Sequence, residues 1–397
     1  MKFTQNTTQV NVTTVVFCTF LVIFMNLKNT LPDNDTVSLN LLELIAISGE
    51  FPTHLIDRVA GGRSYKETVV TALKRQGFVI TYYKDSLRGL RLTSPTKRKL
   101  LELNPRRFEF ALTGNSDTNH IKSDLPRRLR LHRIAEATIT IQNADIAIFR
   151  DKKPDVFSPY FDEYTDLEII KPVFYNSREI KEIGTDFVKI KGARSVGILI
   201  TIKDIFVVYN MGGNLLKWDY KSEMRTKALM KTVLCTERLT EYSGEDIKGL
   251  LLADSMDFCY EILNCEGSKQ HFLLDGNYEN FYFLTNDYKG ERLLSTLCNP
   301  LLDARLKNIL MSDLIPMDKG LTIEHDAFEQ DGTPVLFGFY CDLPRIKRFN
   351  TALSLQEKSG VIICFDFQSQ ALEKFCCEYI IFKTISFDKW ERSFFER

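Results

Sequence analysis

The sequence predicts an α+β chain: an N-terminal winged helix-turn-helix followed by a mixed α/β part, with a restriction-endonuclease-like arrangement as one form of the latter. Three observations carry this. Residues 38–112 read as three helices, a hairpin and a helix. Positive charge concentrates in that region, with 13 Lys and Arg against three acids between Arg58 and Arg107, a net of +10 in a chain that sums to zero. Beyond residue 126, short β-rich runs alternate with helical patterns, which argues a mixed α/β layer architecture; no internal repeat stands out.

The elements follow in order. Leu39–Ser48 (LNLLELIAIS) is a compact apolar helix, and Phe51–Ala60 (FPTHLIDRVA) a second, with Gly61 and Gly62 as the turn. From Ser64 to Gln76, Tyr65, Val69, Ala72 and Leu73 recur at helical spacing and predict a core face. The opposite face carries Arg63, Ser64, Glu67, Thr68, Thr71, Lys74 and Arg75. Gly77 is placed to cap that helix, with Phe78 supplying the hydrophobic contact of such caps. Phe78–Tyr83 and Leu87–Leu92 read as hairpin strands around Lys84, Asp85 and Ser86. Thr93 or Ser94 then caps a helix with Pro95 near its start, ended by Asn104 and Pro105.

This order is that of a winged helix, in which the third helix enters the major groove and the hairpin lies along phosphates. The candidate DNA-binding residues are Arg63, Ser64, Thr68, Thr71, Lys74 and Arg75 on the helix and Lys84, Arg88 and Arg91 on the hairpin, with double-stranded DNA as the partner. A clustered basic face is what neutralising phosphates and releasing their counterions requires. A solvated charged face or a protein-interaction surface is the competing reading.

A polar stretch at 113–125 reads as a linker between a domain at 38–112 and one at 126–397. The second opens on a helix, Pro126–Phe149, whose Arg127, Arg128, Arg130 and Arg133 extend the positive surface. Ser195–Asn210 is a hairpin turning at Lys203 and Asp204; Ser222–Cys235 is a helix. Gly249–Ala253, His271–Leu274, Asn280–Leu284, Pro334–Cys341, Gly360–Phe367 and Tyr379–Ile385 are strands. Ser255–Asn264 and Glu291–Met311 are helices.

Motifs of established chemistry are scarce. There is no GxxxxGK[ST], HExxH or GxSxG, and the five histidines are scattered without a His-x-His pair. One arrangement formally fits PD...ExK: Pro154 and Asp155, then Glu179 and Lys181. If Glu179 and Lys181 share a strand they point to one side, where Asp155 and Glu179 could hold Mg²⁺ while Lys181 activates water. Ser177 as an N-cap would instead make this segment a surface helix, with the two side chains facing apart. The cofactor expectation is none, with Mg²⁺ only under this endonuclease alternative. The nine cysteines lack CxxC spacing and mostly sit in apolar runs, as small hydrophobes of a reducing compartment do.

Residues 1–37 form an apolar N-terminal segment and linker. Val15–Met25 is an eleven-residue run interrupted by Thr19, short of the roughly 20 residues that span a bilayer. Translation from Met25 is the expectation, with a cytoplasmic protein, and a membrane anchor through residues 10–27 is the alternative.

LLELIAISGEFPTHLIDRV followed by TVVTALKRQGFV, then LHRIAEA and the Lys153-Pro154-Asp155 turn, resembles the replication-relaxation family of plasmids and conjugative elements over about residues 38–155. The resemblance implies a bacterial DNA-binding protein acting in replication, relaxation or mobilisation of a mobile element, with other replication or mobilisation proteins or a second copy of the chain as partners. It carries over no catalytic residue. A transcriptional regulator whose α/β part senses a ligand or dimerises is the third reading.

Overall fold

A computed structural model of the chain describes residues 30–113, 123–158, 167–180, 194–215, 218–265, 276–316 and 323–395. Helix α1 (Val37–Ser48) starts where Thr36 Oγ1 accepts the Leu39 amide and stops at Gly49, whose φ of 87° suits glycine. It is apolar nearly all round, as a helix buried on every side must be, and packs against Phe51–Pro52, Arg63–Arg75, Leu87–Leu92, Pro105–Leu112 and the long helix Leu125–Asn143.

The second segment departs from expectation. Phe51–Pro52 is a strand, β1, and only Thr53–Arg58 coils, as a 3₁₀ turn. Proline disfavours helical backbone at the residue before it, so Phe51 stays extended and pairs with Leu90. Helix α2 (Arg63–Arg75) ends as the sequence predicts, with the Gly77 and Phe78 amides returning to Lys74 and Leu73. Its buried stripe is Lys66, Val69, Val70 and Leu73, while Tyr65 faces out. Strands β2 (Val79–Lys84) and β3 (Leu87–Leu92) form the hairpin on a two-residue turn, Asp85 and Ser86 both at positive φ. The sheet order is β1-β3-β2, antiparallel throughout. Helix α3 (Ser94–Leu103) follows. It stops at Asn104 as expected, but Asn104 and Pro105 also start a further helix, α4 (Pro105–Leu112), because Asn104 caps the Arg107 amide and proline suits a first turn.

Helix α5 (Leu125–Asn143) is six residues shorter at its C-terminus than expected, since Asp145 turns left-handed and Ala147 bridges to a strand. Two five-stranded sheets come next. The first is β4 (Val173–Asn176), β5 (Ser195–Ile200), β6 (Ile205–Gly212), β7 (Ile247–Ala253) and β8 (Phe281–Thr285), in that spatial order. Its helices are α6 (Ser177–Ile180) after β4, α7 (Tyr220–Met230) continuing as a π-helix to Arg238, α8 (Asp257–Leu263), and α9 (Tyr288–Cys298) after β8. Helix α10 (Pro300–Met311) leads into β9 (Ile315–Pro316), β10 (Ala327–Phe328), β11 (Pro334–Phe337), α11 (Leu343–Gln356), β12 (Gly360–Phe365), α12 (Asp366–Glu373), β13 (Ile380–Ile385) and α13 (Phe387–Phe395). The single helix expected over Glu291–Met311 is therefore two, because Asn299 caps α10 and Pro300 cannot continue α9. The strand expected at His271–Leu274 lies outside the described residues.

The two sheets repeat one topology, contrary to the expectation of no repeat. In each, the first three strands form an antiparallel meander and the last two run parallel to the third. Each is preceded by a helix, has helices in both parallel crossovers and ends on another. Nothing in the residue pattern shows it, because the strands of the second meander have two, two and four residues and carry no detectable period.

The apolar core runs without a break from the N-terminal elements into the first sheet. Leu42, Phe51, Leu73 and Phe108 belong to the same cluster as Ile139, Leu250 and Leu294. No helix among the described residues is long and apolar enough to cross a membrane; residues 1–29, including the candidate anchor and Met25, lie outside them.

Candidate nucleic-acid interface

Of the thirteen basic residues between Arg58 and Arg107, four are spent inside the molecule. Arg58 pairs with Glu291, Lys66 donates to the Asp57 carbonyl, Arg91 pairs with Glu50, and Arg107 binds Asp151 and Glu43. The candidate surface draws on the others. On α2 the expected residues Arg63, Ser64, Thr68, Thr71, Lys74 and Arg75 are all exposed, as are Lys84 and Arg88 on the hairpin.

Their availability differs. Thr68 and Thr71 donate their hydroxyl protons to the Ser64 and Glu67 carbonyls of their own helix, at 2.9 and 2.8 Å. In that state they offer a partner only lone pairs and methyls. Arg63 lies 3.5 Å from Glu67 in a pair so exposed that it costs little to break. Arg88 stands opposite the exposed Tyr83 in the hairpin register, its guanidinium 5.9 Å from that ring centre. The hairpin thus presents a cation and an aromatic side by side.

Arg91 corrects the expectation. It is buried, donating Nε to Glu50 Oε2 at 2.8 Å and stacking 3.7 Å from the centre of the Tyr82 ring. Its position beside the buried β1 strand turns it inward, so it positions the hairpin rather than meeting a phosphate.

Glu50 organises that interior. Its carboxylate accepts from Arg91, from Arg128 Nη2 at 2.6 Å and from His132 Nε2 at 2.8 Å, which therefore carries the ring proton. Arg128 also donates to the Lys84 and Leu87 carbonyls that flank the hairpin turn, at 2.6 and 3.1 Å. One carboxylate just before β1 thus ties the hairpin to α5. Burial alone would raise the Glu50 carboxyl, but the bonds from His132, Arg128 and Arg91 outweigh it and hold it at about 2. Gly89 is required beside it, because a Cβ there would collide with the carboxylate. Arg128 is therefore no part of the positive surface expected at the start of α5; Arg127 is exposed, and Arg130 and Arg133 are half-buried.

The sequence passed over Glu50 and singled out His132 and Arg128 only as parts of motifs. The available signal was a carboxylate within an apolar stretch, together with Arg128 and His132 one turn apart on a single helix face.

The endonuclease arrangement is not assembled as expected. Glu179 lies on the short helix α6, not on a strand, and its buried carboxylate takes Lys153 Nζ at 2.9 Å and the Asn176 amide at 3.1 Å. Burial pushes Lys153 down and Glu179 up, while each pulls the other back toward its charged form. Asp155 is paired with Arg150 at 3.2 Å, and Lys181 lies outside the described residues. No group of three His, Cys, Asp or Glu among the described residues is arranged to hold a metal ion.

Comparison of the chain with family models, with curated proteins and with solved structures finds no match.

Proposed function

We propose that the protein binds double-stranded DNA, with α2 in the major groove and the β2–β3 hairpin against an adjacent phosphate backbone. The exposed stripe of α2 carries the reading: Ser64, Thr68, Thr71 and Arg75 recur at i, i+4, i+7 and i+11, flanked by Arg63 and Lys74. Thirteen residues at 1.5 Å each make a rod of about 20 Å, and an α-helix fits a groove about 12 Å wide.

Support comes from the order of elements and the β1-β3-β2 sheet, which suit a winged helix, and from Lys84 and Arg88 near the hairpin turn. Lys74 and Arg75 sit in the last turn of α2 beside its negative dipole end, so their charge also steadies the helix. Action in replication, relaxation or mobilisation of a bacterial mobile element is the context that the residue pattern over 38–155 suggests.

Binding of labelled duplex by a double Lys74→Ala, Arg75→Ala variant tests the reading. A loss of affinity of tenfold or more supports it, and unchanged affinity overturns it.

A further inference from the structure

We propose that Tyr83 and Arg88 form a stacking platform for an unpaired base, so that the form of DNA the protein takes is a duplex containing a locally opened segment. This rests on the duplex-binding function proposed above.

The two faces of the hairpin have different fates. Side chains alternate across a strand, so Ile80, Tyr82 and Lys84 share one face of β2 and Val79, Thr81 and Tyr83 the other. The first face turns toward α5. There Arg91 and Arg128 stack on the Tyr82 ring, 3.7 and 4.7 Å from its centre, and Gly89, opposite Tyr82, lies against the Glu50 carboxylate. The second face turns toward α2, with Val79, Leu90 and Leu92 buried in one cluster with Val69, Val70 and Leu73. Tyr83 and Arg88, paired in register, are the last residues of this second face before the turn and lie past that core.

Tyr82 and Tyr83 are therefore neighbours in sequence with opposite surroundings. The Tyr82 ring is taken up by two guanidinium groups of the interior, whereas Tyr83 is 65 % exposed. Arg88, at 5.9 Å from the Tyr83 ring centre, stands at the outer limit of a cation–π contact and leaves the ring open. The tip is also held in place. Arg128 bonds the Lys84 and Leu87 carbonyls on either side of the turn, so Tyr83 cannot fold back onto the surface without breaking buried bonds.

An anchored, exposed aromatic beside a cation suits a nucleotide: the ring stacks on the base and the guanidinium takes the attached phosphate. Charge favours a polyanion over an apolar protein surface, because Lys84 and Arg88 flank the ring and Asp85 is the one acid of the hairpin. Inside an intact duplex the faces of each base are covered by its neighbours. The ring can stack only where a base has left its pair, which is least costly where the duplex is already mismatched or open.

Binding of the full chain to three labelled DNAs of equal length tests this: a fully paired duplex, the same duplex with a central run of mismatches, and the mismatched duplex with abasic residues in that run. All carry the same phosphates. Wild type is expected to bind the mismatched DNA about tenfold more tightly than the paired one, and to lose that advantage when the bases are removed. Tyr83→Ala should lose the advantage with its affinity for the paired duplex unchanged, while Tyr83→Phe should keep it.

Equal binding of wild type to paired and mismatched DNA would overturn the platform, as would an advantage that survives abasic substitution or Tyr83→Ala. Dependence of duplex affinity on Lys74 and Arg75 would then leave the α2 reading standing. A Tyr83→Ala loss of equal size on paired and mismatched DNA would assign the ring to the duplex exterior and overturn the unpaired base. Wild type that binds mismatched DNA through Tyr83 but ignores the paired duplex would support the platform and remove the α2 reading, and wild type that binds none of the three would remove both.

Discussion

The Glu50 carboxylate lies 2.6 Å from the Arg128 guanidinium, and neither side chain touches solvent. One residue immediately precedes β1 and the other lies in the first turn of α5, so the bond joins the hairpin-bearing part of the chain to the helix that packs on the first sheet. Removing either charge leaves the other buried, and Arg91 with it.

Glu50→Gln should therefore destabilise the fold by about 3 to 5 kcal/mol, the cost of stranding a buried charge. Urea unfolding of the two proteins measures it. A change under about 1 kcal/mol would mean that the amide oxygen introduced at position 50, with water, satisfies the two arginines and His132.

Acid should act on the same group. Glu50 sits at about 2 against an ordinary value of 4.5, so its stabilisation is complete above about pH 5 and is lost as pH falls toward 2. Two and a half units correspond to roughly 3 kcal/mol. Unfolding free energies between pH 5 and 2.5 should fall more steeply in the wild type than in Glu50→Gln.

Arg88 and Arg91 are three residues apart on one strand and should behave oppositely. Arg88→Ala is expected to weaken duplex binding about three- to tenfold with stability within about 0.5 kcal/mol of wild type. Arg91→Ala should cost about 3 kcal/mol of stability by stripping a partner from Glu50. Equal effects of the two on stability would contradict the inward placement of Arg91.

The Lys153–Glu179 pair is expected to be structural. Glu179→Gln should lower stability by about 3 kcal/mol, because Lys153 has no exposed surface on which to regain solvent. Mg²⁺ should not alter the unfolding midpoint of either protein; a midpoint that rises with Mg²⁺ in the wild type alone would revive the endonuclease arrangement.

What the sequence disclosed and what it hid have physical causes. Local signals were legible: the Gly77–Phe78 stop of α2, the hairpin around Asp85 and the apolar run of α1 are each fixed by residues a few positions apart. Pairings over long separations were not. Arg91 and Arg88 look alike in sequence, and only the approach of β1 and α5, 41 and 37 residues away from Arg91, separates a buried anchor from a surface cation. Proline misled in both directions. Pro52 broke a helix expected to be continuous, Pro300 split one expected to be long, and Pro105 began a further helix directly after the stop that was expected there. At the candidate site, the exposed residues of α2 were readable from periodicity, while the role of Glu50 depends on tertiary neighbours, of which the Arg128–His132 spacing was the one local sign.

The salt dependence of duplex binding by the full chain tests the central claim most directly. With Arg63, Lys74, Arg75, Lys84 and Arg88 on phosphates, the logarithm of the affinity should fall with the logarithm of salt at a slope of about four or more, at roughly 0.9 per phosphate. Removing Lys74 and Arg75 should reduce that slope by nearly two. A flat response would contradict the account and leave the α2 face to a protein partner.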